Sequence, residues 1–216
     1  EVLDGDAMAD HILRAANGKW HLAASIESDL SLVSSLSRLN ADLQFTQTAV
    51  GDRWLSLALR DSECSVIGVE DSGHLVMSAP NPNGGRCLVG DGAASLIAVL
   101  CAMAVRDKPQ PFEKGFKQRI SIKDTNRSLW TGDNLLADEV EKMTCQTLGP
   151  MKRSRLNGEP NLMLLETDGI SIGIRNSGTQ AKTNVSLRIA PGIDSTKSIK
   201  ITQQIVQYLT AALVEN

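Results

Sequence analysis

The sequence predicts an α/β domain, in which helices cover a parallel sheet, followed by a smaller α+β domain with an antiparallel sheet. In the first half, segments with strand-like and helix-like spacing alternate, an order typical of parallel sheets with helices on both faces. In the second half, strands of alternating polarity predominate and a helix closes the chain. Pro109 and Pro111 cannot continue a helix and mark the linker. We therefore expect domains over residues 1–108 and 109–216.

Apolar spacing defines the elements of the first domain in turn. Apolar residues three or four positions apart predict helices, and short apolar runs between the helices predict strands. Gly18 ends the first predicted helix. The last helix is apolar nearly all round, so we expect it, with Cys101 inside it, to be buried. The predicted helices cover residues 6–16, 29–39, 52–60 and 91–105, and the predicted strands cover residues 20–26, 42–46, 64–69 and 74–78.

Alternating polarity defines the second domain. Ile170, Ile172 and Ile174 occupy every second position of one strand, which predicts that they share a face. The Asp168-Gly169 pair before this strand is a strong hairpin signal. The predicted strands cover residues 117–123, 161–167, 169–175 and 185–189, and the predicted helices cover residues 133–144 and 196–214.

Composition excludes several classes of protein. Hydrophobic residues make up 42% of the chain and charged residues 22%, which is typical of a globular protein and not of a disordered or collagen-like one. Aromatic residues make up only 3% and the net charge is -3, which argues against nucleic-acid binding. The four cysteines lack metal-ligand spacing, so we expect no zinc site, free thiols and a cytoplasmic location. No apolar run is long enough for a membrane span.

The first candidate site is the segment Glu70, Ser72 and His74, directly after a predicted buried strand. The carboxyl ends of parallel strands open onto the crevice where small molecules bind. A carboxylate, a hydroxyl and an imidazole can together hydrogen-bond the vicinal hydroxyls of a sugar. The alternative is a plain Ser-Gly turn with a surface carboxylate.

The second candidate site is the segment Arg175, Ser177, Gly178 and Thr179, between two predicted strands. A guanidinium, two hydroxyls and a glycine whose backbone N–H can turn inward are suited to binding a phosphate, and Lys182 adds charge. The alternative is a polar hairpin turn.

Three further segments are weaker candidates. Asp4-Gly5-Asp6 could begin a metal loop, but Met8 stands where a third carboxylate would be needed. We expect Asp6 to cap the following helix instead, and Asp52 to cap the helix that it begins. The loop over residues 79–86 is a predicted hairpin tip that could place Arg86 over a site.

Taken in order, these motifs resemble the C-terminal half, the third and fourth domains, of the α-D-phosphohexomutase superfamily of phosphoglucomutases, phosphomannomutases and phosphoglucosamine mutases. The segment Glu70-Asp71-Ser72-Gly73-His74 is similar to the sugar-binding loop Glu-x-Ser-Gly-His. The segment Arg175-Asn176-Ser177-Gly178-Thr179 is similar to the phosphate-binding loop Arg-x-Ser-Gly-Thr. Residues 48–53 look most like the phosphoglucosamine mutase branch, and Gly90-Asp91-Gly92 matches the turn after the sugar loop.

The resemblance implies a reaction that interconverts hexose 1-phosphate and hexose 6-phosphate. A phosphoserine donates its phosphate to the sugar phosphate, which gives a hexose bisphosphate. The bisphosphate then returns its other phosphate to the serine, and a hexose bisphosphate also primes the enzyme. Glu70 and Ser72 would hold sugar hydroxyls, and His74 would line the site as the candidate assisting acid or base. The loop from Arg175 to Thr179 would grip the phosphate that is not transferred.

The departures from the family pattern set limits on this implication. The catalytic serine and the magnesium loop belong to the first two domains and are absent from this sequence. We therefore expect an inactive fragment that needs N-terminal domains to supply the serine and the Mg2+ ligands. Gln180 and Ala181 stand where the family usually has Glu-Pro, and Thr183-Asn184 where an arginine is common. These changes favour an alternative, a non-catalytic sugar-phosphate-binding or regulatory protein.

Overall fold

The computed structural model describes residues 2–214, which fold into two compact units that meet between Lys114 and Gly115 in the sequence. The sequence places the boundary after residue 108, whereas the segment that follows stays with the first unit. The Pro109 carbonyl accepts a hydrogen bond of 3.1 Å from Arg14, and Phe112 is buried in the first core.

The first unit contains a five-stranded sheet in the order β2-β1-β3-β4-β5. Strand β1 runs parallel to β2 and β3, and β4 and β5 are added antiparallel. The strands are β1 (Lys19–Ser25), β2 (Asp42–Thr48), β3 (Ser65–Val69), β4 (Leu75–Pro80) and β5 (Arg86–Val89), and the helices are α1 (Gly5–Arg14), α2 (Leu30–Ser34), α3 (Asp52–Leu59) and α4 (Gly92–Ala104).

Both faces of this sheet are covered. Leu22 and Ile67 pack with α1, α2 and α4 on one face, while Ala23 and Val66 pack with α3 on the other. Successive strand residues point to opposite faces, so each strand contributes to two apolar layers. This arrangement confirms the predicted α/β domain.

The predicted helix over 29–39 is interrupted. Helix α2 ends at Ser34, and a short 3-10 turn, Leu36–Arg38, follows. The hydroxyl of Ser35, at the break, donates to the Leu32 carbonyl at 3.4 Å. Serine side chains compete for backbone hydrogen bonds in this way and weaken helices, so the leucine spacing alone overestimated the helix.

Helix α4 contradicts the prediction that it is buried. Only one of its faces, with Val99 and Ala102, is packed. The other exposes large apolar side chains and Cys101. Apolar residues around the whole helix permit burial on every face. They do not show that other elements of this chain pack against every face. The exposed large side chains are Leu96 (58%), Ile97 (62%), Leu100 (56%) and Met103 (49%).

The second unit contains an antiparallel sheet in the order β6-β10-β9-β8-β7. Ile172, Ile174 and Val185 lie in its core, beneath α5 and α6. Gly169 turns the predicted hairpin with a φ of 74°, and the fold confirms the predicted α+β domain. The strands are β6 (Phe116–Lys123), β7 (Lys152–Ser154), β8 (Met163–Thr167), β9 (Ile170–Asn176) and β10 (Lys182–Ile189), and the helices are α5 (Leu135–Leu148) and α6 (Thr196–Leu213).

No helix formed by residues 2–214 has both the length and the apolar character needed to cross a bilayer.

Candidate functional site

The predicted sugar-binding segment forms the tight turn between β3 and β4. The Glu70 amide donates to the His74 carbonyl, and the Gly73 amide donates to the Glu70 carbonyl, each at 3.0 Å. Gly73 has a φ of 100°, which favours glycine at this position. The turn therefore fixes the backbone that carries all three predicted residues.

Hydrogen bonds within the protein hold the Glu70 carboxylate in place. One oxygen accepts a hydrogen bond from the backbone amide of Gly51, in the loop after β2, and the other accepts from the Ser72 hydroxyl at 3.3 Å. Only 8% of Glu70 is exposed, while Ser72 is an exposed residue. Because β2 and β3 both run parallel to β1, the loops that follow them meet at one edge of the sheet.

Asp52 belongs to this site, although the sequence assigned it only a capping role. Its carboxylate oxygen lies 3.1 Å from His74 Nδ1. Gly51 occupies the capping position of α3, and no side chain caps that helix, so the predicted cap is wrong. Asp52 follows β2 as Glu70 follows β3, and the carboxyl-end rule that identified Glu70 could have identified it too.

A small cleft opens beside His74. Its volume is about 180 Å³, and it lies against the first turn of α4, where Asp91 accepts hydrogen bonds from Ala93 and Ala94. A larger depression of about 650 Å³ lies near the starts of β1 and β2 and includes none of the predicted site residues. The small cleft is lined by Gly73, His74, Leu75, Gly90, Asp91, Gly92 and Ser95.

The first turn of α1 supports the Glu70 turn. Asp4, and not Asp6 as predicted, caps α1 by accepting a hydrogen bond of 2.8 Å from Ala7. Asp6 is fully buried and accepts one of 2.8 Å from the amide of Asp29. The Gly5 amide donates to the Asp71 carbonyl at 3.3 Å. This contact ties the helix start to the predicted sugar-binding turn.

One group of carboxylates in the described part of the chain has the spacing of a metal site. Ligand oxygens of Asp4, Asp6 and Asp71 lie within 4.8 Å of one another. Asp4 also caps α1 and forms an ion pair of 3.6 Å with Lys114, and Asp6 accepts from Asp29. These contacts explain why the carboxylates lie here, and we assign them to the support of α1 and its neighbouring turn.

The predicted phosphate-binding segment is the turn between β9 and β10. The Ser177 amide donates to the Lys182 carbonyl at 2.8 Å, and the Thr179 amide lies 3.5 Å from the Ser177 hydroxyl. A side chain at Gly178 would meet nothing within 4 Å. Arg175 lies 3.8 Å from Glu159, and both side chains are mostly buried, with 14% and 13% exposed.

The residues that depart from the family pattern have structural roles. Thr183 is fully buried and its hydroxyl donates to the Asn176 side-chain oxygen at 3.0 Å. Asn184 accepts from the Ser121 hydroxyl at 2.6 Å. The first of these hydrogen bonds joins β10 to β9, and the second joins β10 to β6.

The sequence missed Arg127, whose guanidinium nitrogen Nη1 donates to the Ser177 carbonyl at 2.8 Å. Arg127 lies 50 positions away along the chain, so no local motif pointed to it. Arg86, by contrast, does not reach over a site as predicted. It donates to carbonyls where α3 ends, including that of Cys64 at 3.2 Å.

Comparisons with known proteins agree with this fold. The sequence profile of phosphoglucomutase/phosphomannomutase α/β/α domain III matches residues 4–119. An N-acetylglucosamine-phosphate mutase of the alpha-D-phosphohexomutase superfamily, solved in its substrate complex, has a similar fold, with a TM-score of 0.66 and 13% identity. The comparison covers 96% of this chain and 44% of that one.

Two further solved structures are similar. An Aspergillus fumigatus N-acetylphosphoglucosamine mutase, in complex with GlcNAc-6P and magnesium, has a TM-score of 0.63 and 11% identity over 96% of this chain and 47% of its own. A Burkholderia thailandensis phosphoglucomutase/phosphomannomutase family protein has a TM-score of 0.59 and 13% identity over 98% of this chain and 42% of its own.

This chain thus spans less than half the length of the similar structures. None of the curated proteins compared with it matches. The profile match covers more than half of the 216 residues and includes the Glu70 turn. The chain therefore belongs to the phosphoglucomutase/phosphomannomutase family.

Proposed function

We propose that this chain is the substrate-recognition half of a phosphohexomutase, which interconverts hexose 1-phosphate and hexose 6-phosphate. The main support is the Glu70 carboxylate, held at the carboxyl edge of the sheet by the Gly51 amide and the Ser72 hydroxyl. An acceptor that is fixed before the ligand arrives loses little conformational entropy on binding.

Glu70 and Ser72 hydrogen-bond the hydroxyls of the sugar in this proposal. The carboxylate accepts from hydroxyl groups, and the Ser72 hydroxyl both donates and accepts. His74 is the assisting acid or base, and Asp52, at 3.1 Å from its Nδ1, orients the ring. This pairing leaves Nε2 to exchange a proton with a sugar oxygen.

Arg175, Ser177, Gly178 and Thr179 bind the phosphate that is not transferred. The guanidinium can donate two parallel hydrogen bonds to phosphate oxygens, and the open space at Gly178 leaves its backbone amide accessible. Preceding domains of the parent protein supply the phosphoserine and the Mg2+ ligands, and a hexose bisphosphate primes the cycle. The chain alone is then inactive.

The substrate we favour is the phosphate of glucosamine or of its N-acetyl derivative. Residues 48–53 resemble the phosphoglucosamine mutase branch, and two similar structures are N-acetylglucosamine-phosphate mutases. The Arg175–Glu159 ion pair favours a second candidate function, a non-catalytic sugar-phosphate-binding protein, because a carboxylate near the guanidinium weakens its attraction for phosphate.

Titration of the chain with glucosamine 6-phosphate, followed by NMR, tests the binding function. We expect the amides of residues 70–74 and of residues 175–179 to shift, and the Glu70→Gln variant to weaken the response of residues 70–74. A ligand that shifted neither segment would contradict the proposal. Mutase activity of the full-length parent, abolished by Arg175→Ala, would exclude the non-catalytic alternative.

A further inference from the structure

We infer that Arg127 is an additional phosphate-binding residue of the Arg175–Thr179 turn. This inference rests on the proposed function, because it assigns a second cation to the same phosphate. Three structural features support it: the fixed backbone of Arg127, the position of its guanidinium, and the ion pair that partly neutralises Arg175.

The backbone around Arg127 is tied to the turn. The Asn176 side-chain amide donates to the Arg127 carbonyl at 2.9 Å, and the Thr125 amide donates to the Ala181 carbonyl at 3.2 Å. The amide of Asn126 donates to the Leu213 carbonyl at the end of α6, at 2.8 Å. The Arg127 side chain therefore extends from a backbone segment that is fixed on both sides. The position of this backbone does not depend on a mobile loop.

The guanidinium of Arg127 lies at the turn itself. Its Nη1 donates to the Ser177 carbonyl at 2.8 Å, while the residue as a whole is exposed. A guanidinium has five N–H donors, so this hydrogen bond leaves donors for an anion. The same Ser177 contributes a hydroxyl to the predicted phosphate site, so the Arg127 guanidinium lies next to a proposed ligand group.

The charge around Arg175 explains why a second cation would matter. Its guanidinium lies 3.8 Å from the Glu159 carboxylate, in surroundings that leave both side chains mostly buried. The pair has little net charge to attract a phosphate dianion. Asn184, where relatives often have an arginine, is also neutral and bonded to Ser121. Arg127, in the short 3-10 turn after β6, places a further positive charge beside this turn.

The simplest alternative is that Arg127 only shapes the turn, through its hydrogen bond to Ser177. The two roles differ in what a phosphate does to the arginine. If Arg127 binds phosphate, its side-chain N–H resonances shift during a titration. If it is only structural, its removal changes the amide spectrum of residues 177–179 before any ligand is added.

The test is an NMR titration of the whole chain with inorganic phosphate and, separately, with glucosamine 6-phosphate. We compare the wild type with Arg127→Ala, Arg127→Lys and Arg175→Ala. Lys152→Ala, on the strand at the far edge of the same sheet, is the control for loss of one positive charge. We expect Arg127→Ala to weaken binding of both ligands about tenfold, the effect of one charge-assisted hydrogen bond, and Lys152→Ala to leave it unchanged.

The outcomes separate this inference from the proposed function. Unchanged binding in Arg127→Ala, with binding lost in Arg175→Ala, would overturn the inference and leave the phosphate function of the turn in place. Unchanged binding in both variants would overturn both. A disturbed ligand-free turn in Arg127→Ala, with no shift of the wild-type Arg127 side chain on titration, would assign the residue a structural role and overturn the inference. Partial recovery in Arg127→Lys supports it, because lysine restores the charge but not the planar fork.

Discussion

Replacing Gly5 by alanine should destabilise the first unit, although the same change at the start of a helix is normally favourable. An alanine Cβ at this position would overlap the Glu70 carbonyl oxygen, and it would lie 2.9 Å from the carbonyl carbon and 3.1 Å from the Gly73 nitrogen. These are backbone atoms of a hydrogen-bonded turn, so they cannot move aside as a flexible side chain could. The helix start or the turn over residues 70–74 must shift instead.

The magnitudes decide the sign of the effect. Alanine gains at most about 1 kcal/mol over glycine in a helix, whereas inserting a group into a packed site costs about 1 to 3 kcal/mol or more. We expect a net loss of about 1 to 2 kcal/mol. Urea unfolding, followed by tryptophan fluorescence, to which Trp20 and Trp54 of the first unit contribute, measures it.

Gly92 provides a matched control for Gly5. Each glycine is the first residue of a helix and follows an aspartate that caps it. A Cβ at Gly92 would meet nothing within 4 Å, so Gly92→Ala should be neutral or slightly stabilising. Equal stabilities for the two alanine variants would refute the steric reasoning.

Three further predictions concern other parts of the chain. Burial lowers the pKa of His21 from its usual 6.5, so the unfolded chain takes up this proton first, and stability should fall as the pH drops below 6.5. Urea midpoints should fall less in His21→Gln over this range, and parallel curves would contradict the assignment. Thr183→Val leaves the buried Asn176 oxygen without its 3.0 Å donor and should cost about 1 to 3 kcal/mol of unfolding free energy in calorimetry. A Tm equal to the wild type would show that Asn176 finds another donor. Leu100→Lys, at a position 56% exposed, should reduce binding of an apolar dye without loss of stability, and an undiminished dye signal would show that α4 is not the binding surface.

The sequence predicted the fold well because both domains depend on periodic patterns. Alternating positions such as Ile172 and Ile174 are buried together, and the parallel strands β1, β2 and β3 are separated by helices that cover the sheet. The break after α2 was missed because the leucine spacing continues through the serines whose side chains compete with the backbone.

The candidate sites were predictable where one short segment contains several polar groups. The Glu70 and Arg175 segments met that condition, and Asp52 and Arg127 did not. Asp52 reaches His74 because two parallel strands end at the same edge, and Arg127 reaches Ser177 through contacts of its carbonyl with Asn176. Such pairings depend on the register of the sheets, which a single sequence does not specify.

The unequal exposure of the proposed sugar-binding residues has a consequence for substrate range. Hydrogen bonds hold the Glu70 carboxylate in place, whereas 60% of the His74 side chain is in contact with solvent, so one group is a fixed acceptor and the other is accessible to a ligand. In the proposed reaction, a hexose phosphate binds in either of two orientations. The two orientations present different sugar oxygens to the His74 imidazole, while the Glu70 carboxylate accepts a hydrogen bond from the sugar in both. A fixed carboxylate beside an accessible imidazole would then let the same small site bind both the starting sugar phosphate and its isomer.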